Sequence, residues 1–140
     1  MSILARLFDI LNLQLCFCEI SSAAEIGPGL EIAHVGAITI GGGTRLGRRC
    51  VIFQGVLIGN SFNHLGIKKN ADGRHQPVIG DQVVVGAGAK ILGPVCIGSN
   101  VIVGANSVVV SDISPGSVAV GIPARTIPGD AERIPAIIID

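Results

Sequence analysis

Residues 79–109 read IGDQVVVGAGAKILGPVCIGSNVIVGANSVV and return an aliphatic side chain every six positions. Thirteen positions of the chain share this repeat: Ile20, Ile26, Ile32, Ile40, Leu46, Ile52, Ile58, Ile79, Val85, Ile91, Ile97, Val103 and Val109. A period of six fits neither a helix of about 3.6 residues per turn nor simple strand alternation. It is typical of a solenoid, in which short strands and corners repeat around a prism.

Three repeats complete one triangular coil in this interpretation, and successive coils pair as parallel strands roughly 4.8 Å apart. The aliphatic residues then stack inside the prism as continuous columns. A small residue, usually glycine, follows most of them, and we expect these glycines to form tight corners through backbone conformations at positive φ. The sequence therefore predicts an all-β fold, a parallel β-helix that occupies residues 19–129.

The composition indicates one domain with a large apolar interior. Of 140 residues, 49% are hydrophobic and 14% are charged, and the formal net charge is zero. Lysine and arginine are scattered, so we expect no nucleic-acid partner. The mean hydropathy is +0.65, yet no run approaches the roughly 18 apolar residues of a membrane span. Buried columns and buried subunit interfaces explain the hydropathy better.

The two ends of the chain depart from the repeat. Residues 3–17 have apolar side chains near helical spacing, with Ser2 as the N-cap. A secretory signal fits them less well, because Asp9 interrupts the apolar run and no small-residue cleavage site follows. We expect residues 1–18 to form a helical cap over the open first coil. At the other end, prolines break the repeat, and residues 130–140 are predicted to form an irregular tail.

The four cysteines are expected to be ordinary reduced thiols. Cys16 and Cys18 are too close in sequence for a C-x2-C zinc site, and no second pair completes one. Cys50 and Cys96 are interpreted as small apolar fillers inside the prism. This cysteine usage favours a cytoplasmic location, and we expect no bound metal.

The repeat fails at two places. Between Ile32 and Ile40 the step is eight residues, so two are extra. Between Ile58 and Ile79 the step is twenty-one, and residues 60–77 read NSFNHLGIKKNADGRHQP. A regular hexad cannot contain this polar stretch, so we expect a loop that leaves the prism. Loops carried by a rigid scaffold commonly hold functional residues.

All three histidines lie in these interruptions: His34 in the first, His64 and His75 in the second. A lone histidine is usually a hydrogen-bonded structural or surface group. Histidine also suits general-base removal of a proton from a hydroxyl. Their positions leave both interpretations open.

Three stretches resemble the hexapeptide-repeat acyltransferases and, within them, the serine acetyltransferase group. They are IGPGLEIAHVGAITIGG (26–42), GRH ahead of PVIGDQVVVGAGAKILG (73–93), and GANSVVVSDISPGSVAVGIPARTIPG (104–129). The resemblance covers about residues 19–129. It implies a left-handed parallel β-helix, acetyl-CoA as the donor, and direct transfer of the acetyl group to an acceptor hydroxyl.

By position, the resemblance makes His34 the catalytic base and makes Arg74 and His75 an acceptor-binding pair. It also places an acid fifteen residues before the catalytic histidine, which is Glu19 in this chain. Because eighteen residues make one coil, the two groups would lie on adjacent rungs, where the carboxylate would orient the imidazole. The alternative for Glu19 is a solvated charge at the boundary of the cap. No cysteine is required as a nucleophile.

The resemblance assigns the coenzyme to small residues on one edge and to one arginine: Gly59, Gly86, Ala87, Gly104, Ala105 and Arg125. Ala87 and Ala105 are eighteen residues apart, so they would stack as a shelf for the pantetheine arm, although small residues also simply form corners. Arg125 would pair with a CoA phosphate. A homotrimer with active sites between neighbouring prisms is also implied, in agreement with the hydrophobic excess.

Two departures from the serine acetyltransferase pattern bear on the acceptor. Ala33 stands where those enzymes carry an aspartate that holds the amino acid, and fewer than twenty residues precede the first hexad, where they carry a helical domain. The loss of an acid that would meet an ammonium argues against a free amino acid. A sugar or polysaccharide precursor is therefore the first hypothesis for the acceptor, and L-serine is the alternative.

Two further alternatives remain. A zinc carbonic anhydrase on the same prism needs three converging histidines, whereas His64 and His75 are eleven residues apart and His34 lies far upstream. A non-catalytic scaffold, in which the repeat serves only assembly, predicts that acetyl-CoA does not bind.

Overall fold

The computed structural model describes residues 3–63, 66–70 and 72–127. One helix is followed by short strands, most of them two residues long. The helix is α1 (Ile3–Cys16), and the strands are β1 (Glu19–Ile20), β2 (Glu25–Ile26), β3 (Glu31–Ile32), β4 (Thr39–Ile40), β5 (Arg45–Leu46), β6 (Val51–Ile52), β7 (Leu57–Gly59), β8 (Phe62–Asn63), β9 (Gly66–Ile67), β10 (Val78–Ile79), β11 (Val84–Val85), β12 (Lys90–Leu92), β13 (Cys96–Ile97), β14 (Ile102–Val103), β15 (Val108–Val109), β16 (Val118–Gly121) and β17 (Ala124–Ile127).

Three parallel sheets form the sides of a prism. Sheet A is ordered β1-β4-β7-β12-β15, sheet B is ordered β2-β5-β10-β13, and sheet C is ordered β3-β6-β11-β14-β16, with β17 added antiparallel to β16. Through the repeat, the chain therefore enters sheets A, B and C in turn, and three strands make one coil. Val84 pairs with Ile102, eighteen residues further along the chain. The coil of three hexads predicted from the repeat is confirmed by this register.

The repeated aliphatic residues form the core of the prism. The ten from Ile40 to Val109 are each at most 5% exposed. A second buried column, which was not predicted from the sequence, lies two residues before each of them: Ile38, Thr44, Cys50, Val56, Pro77, Val83, Ala89, Val95, Val101 and Ser107. Residues two apart on a strand face the same side, so two side chains of every hexad fill the interior.

The glycines that follow the repeat residues have a different role from the predicted one. Gly80 and Gly98 are not among the positive-φ positions, and the left-handed residue comes two places later, as at Gln82 with φ 55°. A Cβ on Gly80 would lie 2.7 Å from the backbone nitrogen of Ser99, and one on Gly98 would lie 2.5 Å from that of Pro115. The predicted positive φ was wrong for these glycines, because close contact between coils is what excludes a side chain.

The four cysteines are free, as predicted, but they occupy different environments. Cys50 is 1% exposed in the core. Cys96 is exposed, because it directly precedes the inward Ile97 and strand alternation turns it outward. The prediction that both residues fill the prism is confirmed for Cys50 and wrong for Cys96.

The predicted N-terminal helix is confirmed, but its polar side meets the first coil. Asp9 and Asn12 are half-buried, and the Asp9 carboxylate accepts a hydrogen bond from Ser22 Oγ at 3.1 Å. Every Leu, Ile and Phe of α1 is at least 41% exposed, and Ile26 of the first coil remains 37% exposed. The helix therefore covers the first coil only in part.

Some expectations concern residues outside the described ranges, namely the N-cap at Ser2 and the tail of residues 130–140. Within those ranges, no helix has both the length and the apolar character needed to cross a membrane.

Candidate active site

Two extra residues lengthen the corner between β3 and β4. Regular pairing continues to Ala33, whose N–H donates to the Ile52 carbonyl at 3.0 Å, and resumes at Gly36, whose carbonyl accepts the Gly55 N–H at 2.9 Å. Between these fixed points the chain bulges outward, and the His34 side chain is exposed. The first interruption thus presents a histidine at the corner between sheets C and A.

His34 packs against an aromatic ring. Its ring centroid lies 6.0 Å from that of Phe53, and the two planes are inclined by 56°. Phe53 is half-buried at the same corner one coil further along. Its role was not predicted, although the sequence holds a signal: a large ring directly follows Ile52, where glycine usually follows the repeat residue. The ring limits movement of the imidazole on one side, and the residue as a whole remains exposed.

Glu19 lies on β1, next to the segment that leaves the His34 corner. The Glu19 N–H donates to the Ile38 carbonyl at 2.8 Å, and Glu19 pairs with Thr39 in sheet A. Its side chain is exposed. Among the described residues, no hydrogen bond or ion pair joins the Glu19 carboxylate to the His34 ring. The two residues are therefore on neighbouring segments without direct contact.

The second interruption leaves the prism between β7 and β10, at the corner between sheets A and B. Strands β8 and β9 form a separate antiparallel hairpin, and the Lys68 N–H donates to the Ser61 carbonyl at 2.8 Å. The predicted excursion is thus confirmed. His64 lies outside the described residues.

Arg74 is held where the excursion returns to the prism. The Asn70 side-chain oxygen accepts the Arg74 N–H at 2.8 Å, and the Arg74 carbonyl accepts the Asn70 N–H at 2.9 Å. Its Nη2 donates to Cys96 Sγ at 3.1 Å and to the Pro94 carbonyl at 3.4 Å. No carboxylate of the described residues forms an ion pair with it. The guanidinium is oriented but keeps its charge available.

Gln76 anchors the end of the excursion in the prism, a role that was not predicted from the sequence. It is 8% exposed, and its Oε1 accepts a hydrogen bond from buried Thr44 at 3.5 Å. A Cβ on Gly41 would lie 3.3 Å from the same oxygen, so glycine makes room for the glutamine. His75, directly before Gln76, is half-buried. The anchor thereby fixes the position of the Arg74–His75 pair.

The small residues assigned to the coenzyme lie in successive coils. The Asn106 N–H donates to the Ala87 carbonyl at 2.8 Å, and a Cβ on Gly86 would lie 2.7 Å from the Ala105 nitrogen. The Gly86–Ala87 and Gly104–Ala105 steps are therefore stacked. Ala87 is half-buried and Ala105 is exposed, so their edge is open.

The other two coenzyme candidates are Gly59 and Arg125. Gly59 ends β7 at the corner where the excursion departs, and its carbonyl accepts the Gly93 N–H at 2.8 Å. Arg125 is exposed on β17, opposite Val120. Gly59 is therefore away from the stacked alanine edge. Arg125 is near that edge, because a Cβ on Gly104 would lie 2.8 Å from Cγ1 of Val120, its partner in the sheet.

Most of the predicted site residues thus form two groups, one at each edge of sheet A. The corner between sheets C and A carries His34 and the two stacked alanines, Ala87 and Ala105. The corner between sheets A and B carries Gly59 and the Arg74–His75 pair. Within a single chain, His34 is therefore not next to the Arg74–His75 pair.

Neither a cysteine nucleophile nor a metal centre is indicated by the geometry. Burial raises the pKa of the Cys50 thiol and keeps it protonated. Across the described ranges, no group of three or more His, Cys, Asp or Glu side chains is placed to share a metal ion.

Comparisons with known proteins show which proteins this chain resembles. The family model described as bacterial transferase hexapeptide (six repeats) matches residues 76–111. The chain is 41% identical over 112 residues to a serine acetyltransferase of Helicobacter pylori strain J99, a match that covers 80% of this chain and 61% of that protein. Residues 76–111 thus carry the hexapeptide repeat, and the chain is similar to serine acetyltransferases.

Solved structures extend the likeness of this hexapeptide-repeat protein to two complexes. Neisseria gonorrhoeae serine acetyltransferase in complex with serine is 35% identical, with a TM-score of 0.75, and the match covers 89% of this chain and 48% of that one. A serine acetyltransferase in complex with CoA is 31% identical, with a TM-score of 0.76 and the same coverage of each chain. This chain therefore spans about half to three fifths of the length of these relatives.

Proposed function

We propose that this chain is an acetyl-CoA-dependent O-acetyltransferase whose acceptor is the hydroxyl of L-serine. The corner between sheets C and A carries the proposal, since exposed His34 shares this edge with the stacked Ala87 and Ala105. A base and an open shelf on one edge suit a reaction in which a thioester meets a hydroxyl. The similarity to serine acetyltransferases supports the same reaction.

His34 would act as the general base. Its neutral imidazole removes the hydroxyl proton while the oxygen attacks the thioester carbonyl of acetyl-CoA. The tetrahedral oxyanion then collapses, the C–S bond breaks, and the proton passes from the imidazolium to the departing CoA sulfur. Backbone N–H groups near the glycine-rich corners would stabilise the oxyanion. The products are the O-acetyl ester and free CoA.

Glu19 would orient the protonated imidazole. Its strand pairs with β4, which follows the His34 corner, and its exposed side chain is free to turn towards that corner. A carboxylate in this role stabilises the imidazolium that forms during transfer.

The shelf of Ala87 and Ala105 would bind the pantetheine arm, and Gly86 and Gly104 would allow the coils to stack closely beneath it. Gly59 would take part only from the A–B corner of a neighbouring copy. Arg125 is exposed and would pair with a CoA phosphate. The CoA complex of a similar serine acetyltransferase supports this assignment.

Arg74 and His75 would bind the acceptor, and Arg74 favours serine. A fixed guanidinium without an ion pair to any carboxylate of the described residues suits a carboxylate ligand, which L-serine carries and a neutral sugar lacks. The comparisons likewise favour serine over the sugar, which was the first hypothesis from the sequence. Ala33 still favours a sugar acceptor, because its side chain has no negative charge to pair with the ammonium group of serine.

A cytoplasmic homotrimer of left-handed prisms would complete the site. Its β-helix would occupy residues 19–129, after a cap at residues 1–18. The outward residues of sheet C are apolar in three successive coils, Val51, Val84 and Ile102, and so suit a subunit interface. In the proposed trimer, the C–A corner of one chain would meet the A–B corner of the next.

A screen of acceptors tests the function. Purified protein is incubated with acetyl-CoA and either L-serine or a panel of sugars and nucleotide sugars, and products are identified by mass spectrometry. We expect O-acetylserine and release of CoA. Acetylation of a sugar without acetylation of serine would restore the sugar hypothesis. No turnover, together with no CoA binding by calorimetry, would favour the scaffold.

A further inference from the structure

The orientation of Arg74 depends on a sulfur atom of the regular coils. Nη2 donates to Cys96 Sγ at 3.1 Å and, over a longer distance of 3.4 Å, to the Pro94 carbonyl. The Nε atom is buried, with no hydrogen-bond partner in the described part of the chain. The short contact to sulfur is therefore the main polar restraint on the outer part of the guanidinium.

Cys96 is itself held firmly on β13. Its N–H donates to the Asp112 carboxylate at 2.8 Å, and its carbonyl accepts the Ile113 N–H at 2.9 Å. On the opposite edge it pairs with Val78 of β10. Because its backbone is fixed on both sides, the sulfur is a stationary acceptor for the arginine of the excursion.

Arg45, on β5 of sheet B, provides a comparison for Arg74. Arg45 Nε lies 3.1 Å from Glu25 Oε2, so its charge is paired with a carboxylate. The Cys96 sulfur accepts a hydrogen bond from Arg74, which has no carboxylate partner among the described residues. It orients the guanidinium and leaves the charge available for an anionic ligand.

We propose that Cys96 is a positioning residue for the acceptor, since it holds Arg74 in the orientation that binds the acceptor carboxylate. The proposal rests on the function given above, in which Arg74 binds the acceptor. Cys96 is exposed, Cys16 is half-buried, and Cys18 and Cys50 are buried. Binding of the acceptor therefore depends on the chemical state of one surface thiol.

Paired substitutions of Cys96 test this role. Cys96→Ala removes the acceptor atom and should raise the KM for L-serine about tenfold, the size expected for a lost hydrogen bond to a charged group. Cys96→Ser keeps an acceptor and should stay within about twofold of the wild type. The KM for acetyl-CoA and the melting temperature should be unchanged in both. Equal changes in both KM values, or equal effects of Ala and Ser, would overturn the proposal.

Alkylation provides the same test on the unaltered chain. Carboxamidomethylation of Cys96 by iodoacetamide, verified by peptide mass spectrometry, should reproduce the rise in KM for L-serine, and Cys96→Ser should resist it. In a double-mutant cycle, Cys96→Ala should add nothing to Arg74→Ala, because both remove the same restraint. An undiminished effect of Cys96→Ala in the Arg74→Ala background would contradict the proposal.

A readout without turnover separates this proposal from the function it rests on. If the wild type acetylates no acceptor, the function fails. The contact is then judged by the alkylation rate of Cys96 alone, which we expect to differ at least threefold between wild type and Arg74→Ala. Equal rates would mean that the guanidinium and the sulfur are not in contact in solution, which would overturn the proposal.

Discussion

The two interruptions of the repeat present their functional side chains in opposite ways. At the corner between sheets C and A, His34 is exposed beside the Phe53 ring, without a hydrogen bond from the described residues. At the corner between sheets A and B, Arg74 is bonded to Asn70 through its backbone and to Pro94 and Cys96 through its guanidinium. Two extra residues only expose a side chain, whereas a loop that returns onto the prism also fixes one.

This difference bears on whether one chain could form the proposed active site by itself. Arg74 is positioned by its own chain, and His34 is exposed. Because the two groups stand on opposite edges of sheet A, the proposed reaction would require a second copy to bring His34 to Arg74. The contrast between the corners is thus the main structural support for a site between subunits.

Removal of the exposed base should have the largest effect. His34→Ala is expected to lower kcat by about 10²- to 10⁴-fold, because general-base catalysis is lost. Affinity for CoA, measured by calorimetry, and the melting temperature should be retained, since the side chain carries no hydrogen bond to the described residues. Glu19→Ala should reduce kcat less. Full activity of His34→Ala would show that His34 is not the general base.

A change in the regular coils should affect stability and spare both interruptions. Gly80→Ala forces a Cβ to 2.7 Å from the Ser99 nitrogen, whereas a Cβ on Gly59 meets no atom within 4 Å. We expect Gly80→Ala to lower the free energy of unfolding by about 1–3 kcal/mol and Gly59→Ala to change it little. Thermal melting of the two variants provides the comparison. Equal melting temperatures would mean that the coils separate to admit a side chain.

The repeat allowed the coil, its core column and both interruptions to be predicted, because a period of six leaves one arrangement of strands and corners. The second column, at Val83 and its equivalents, is a consequence of strand alternation within each hexad, which the period of six alone does not reveal. The contacts that the loop makes where it returns to the prism could not be predicted. Nothing in the sequence places Gln76 over Gly41 or Cys96 beside Arg74. Such contacts depend on the path of the excursion, which the repeat does not restrain.

Complementation between two inactive variants tests the central claim most directly. Chains carrying His34→Ala and chains carrying Arg74→Ala are co-expressed with different tags, and mixed oligomers are purified through both tags. If each site takes its base from one copy and its arginine from the next, every mixed cyclic trimer that carries both tags has about one third of its sites intact. Activity near that fraction is the predicted result. Activity no greater than that of the two parents would place both residues in one chain's site or outside the reaction.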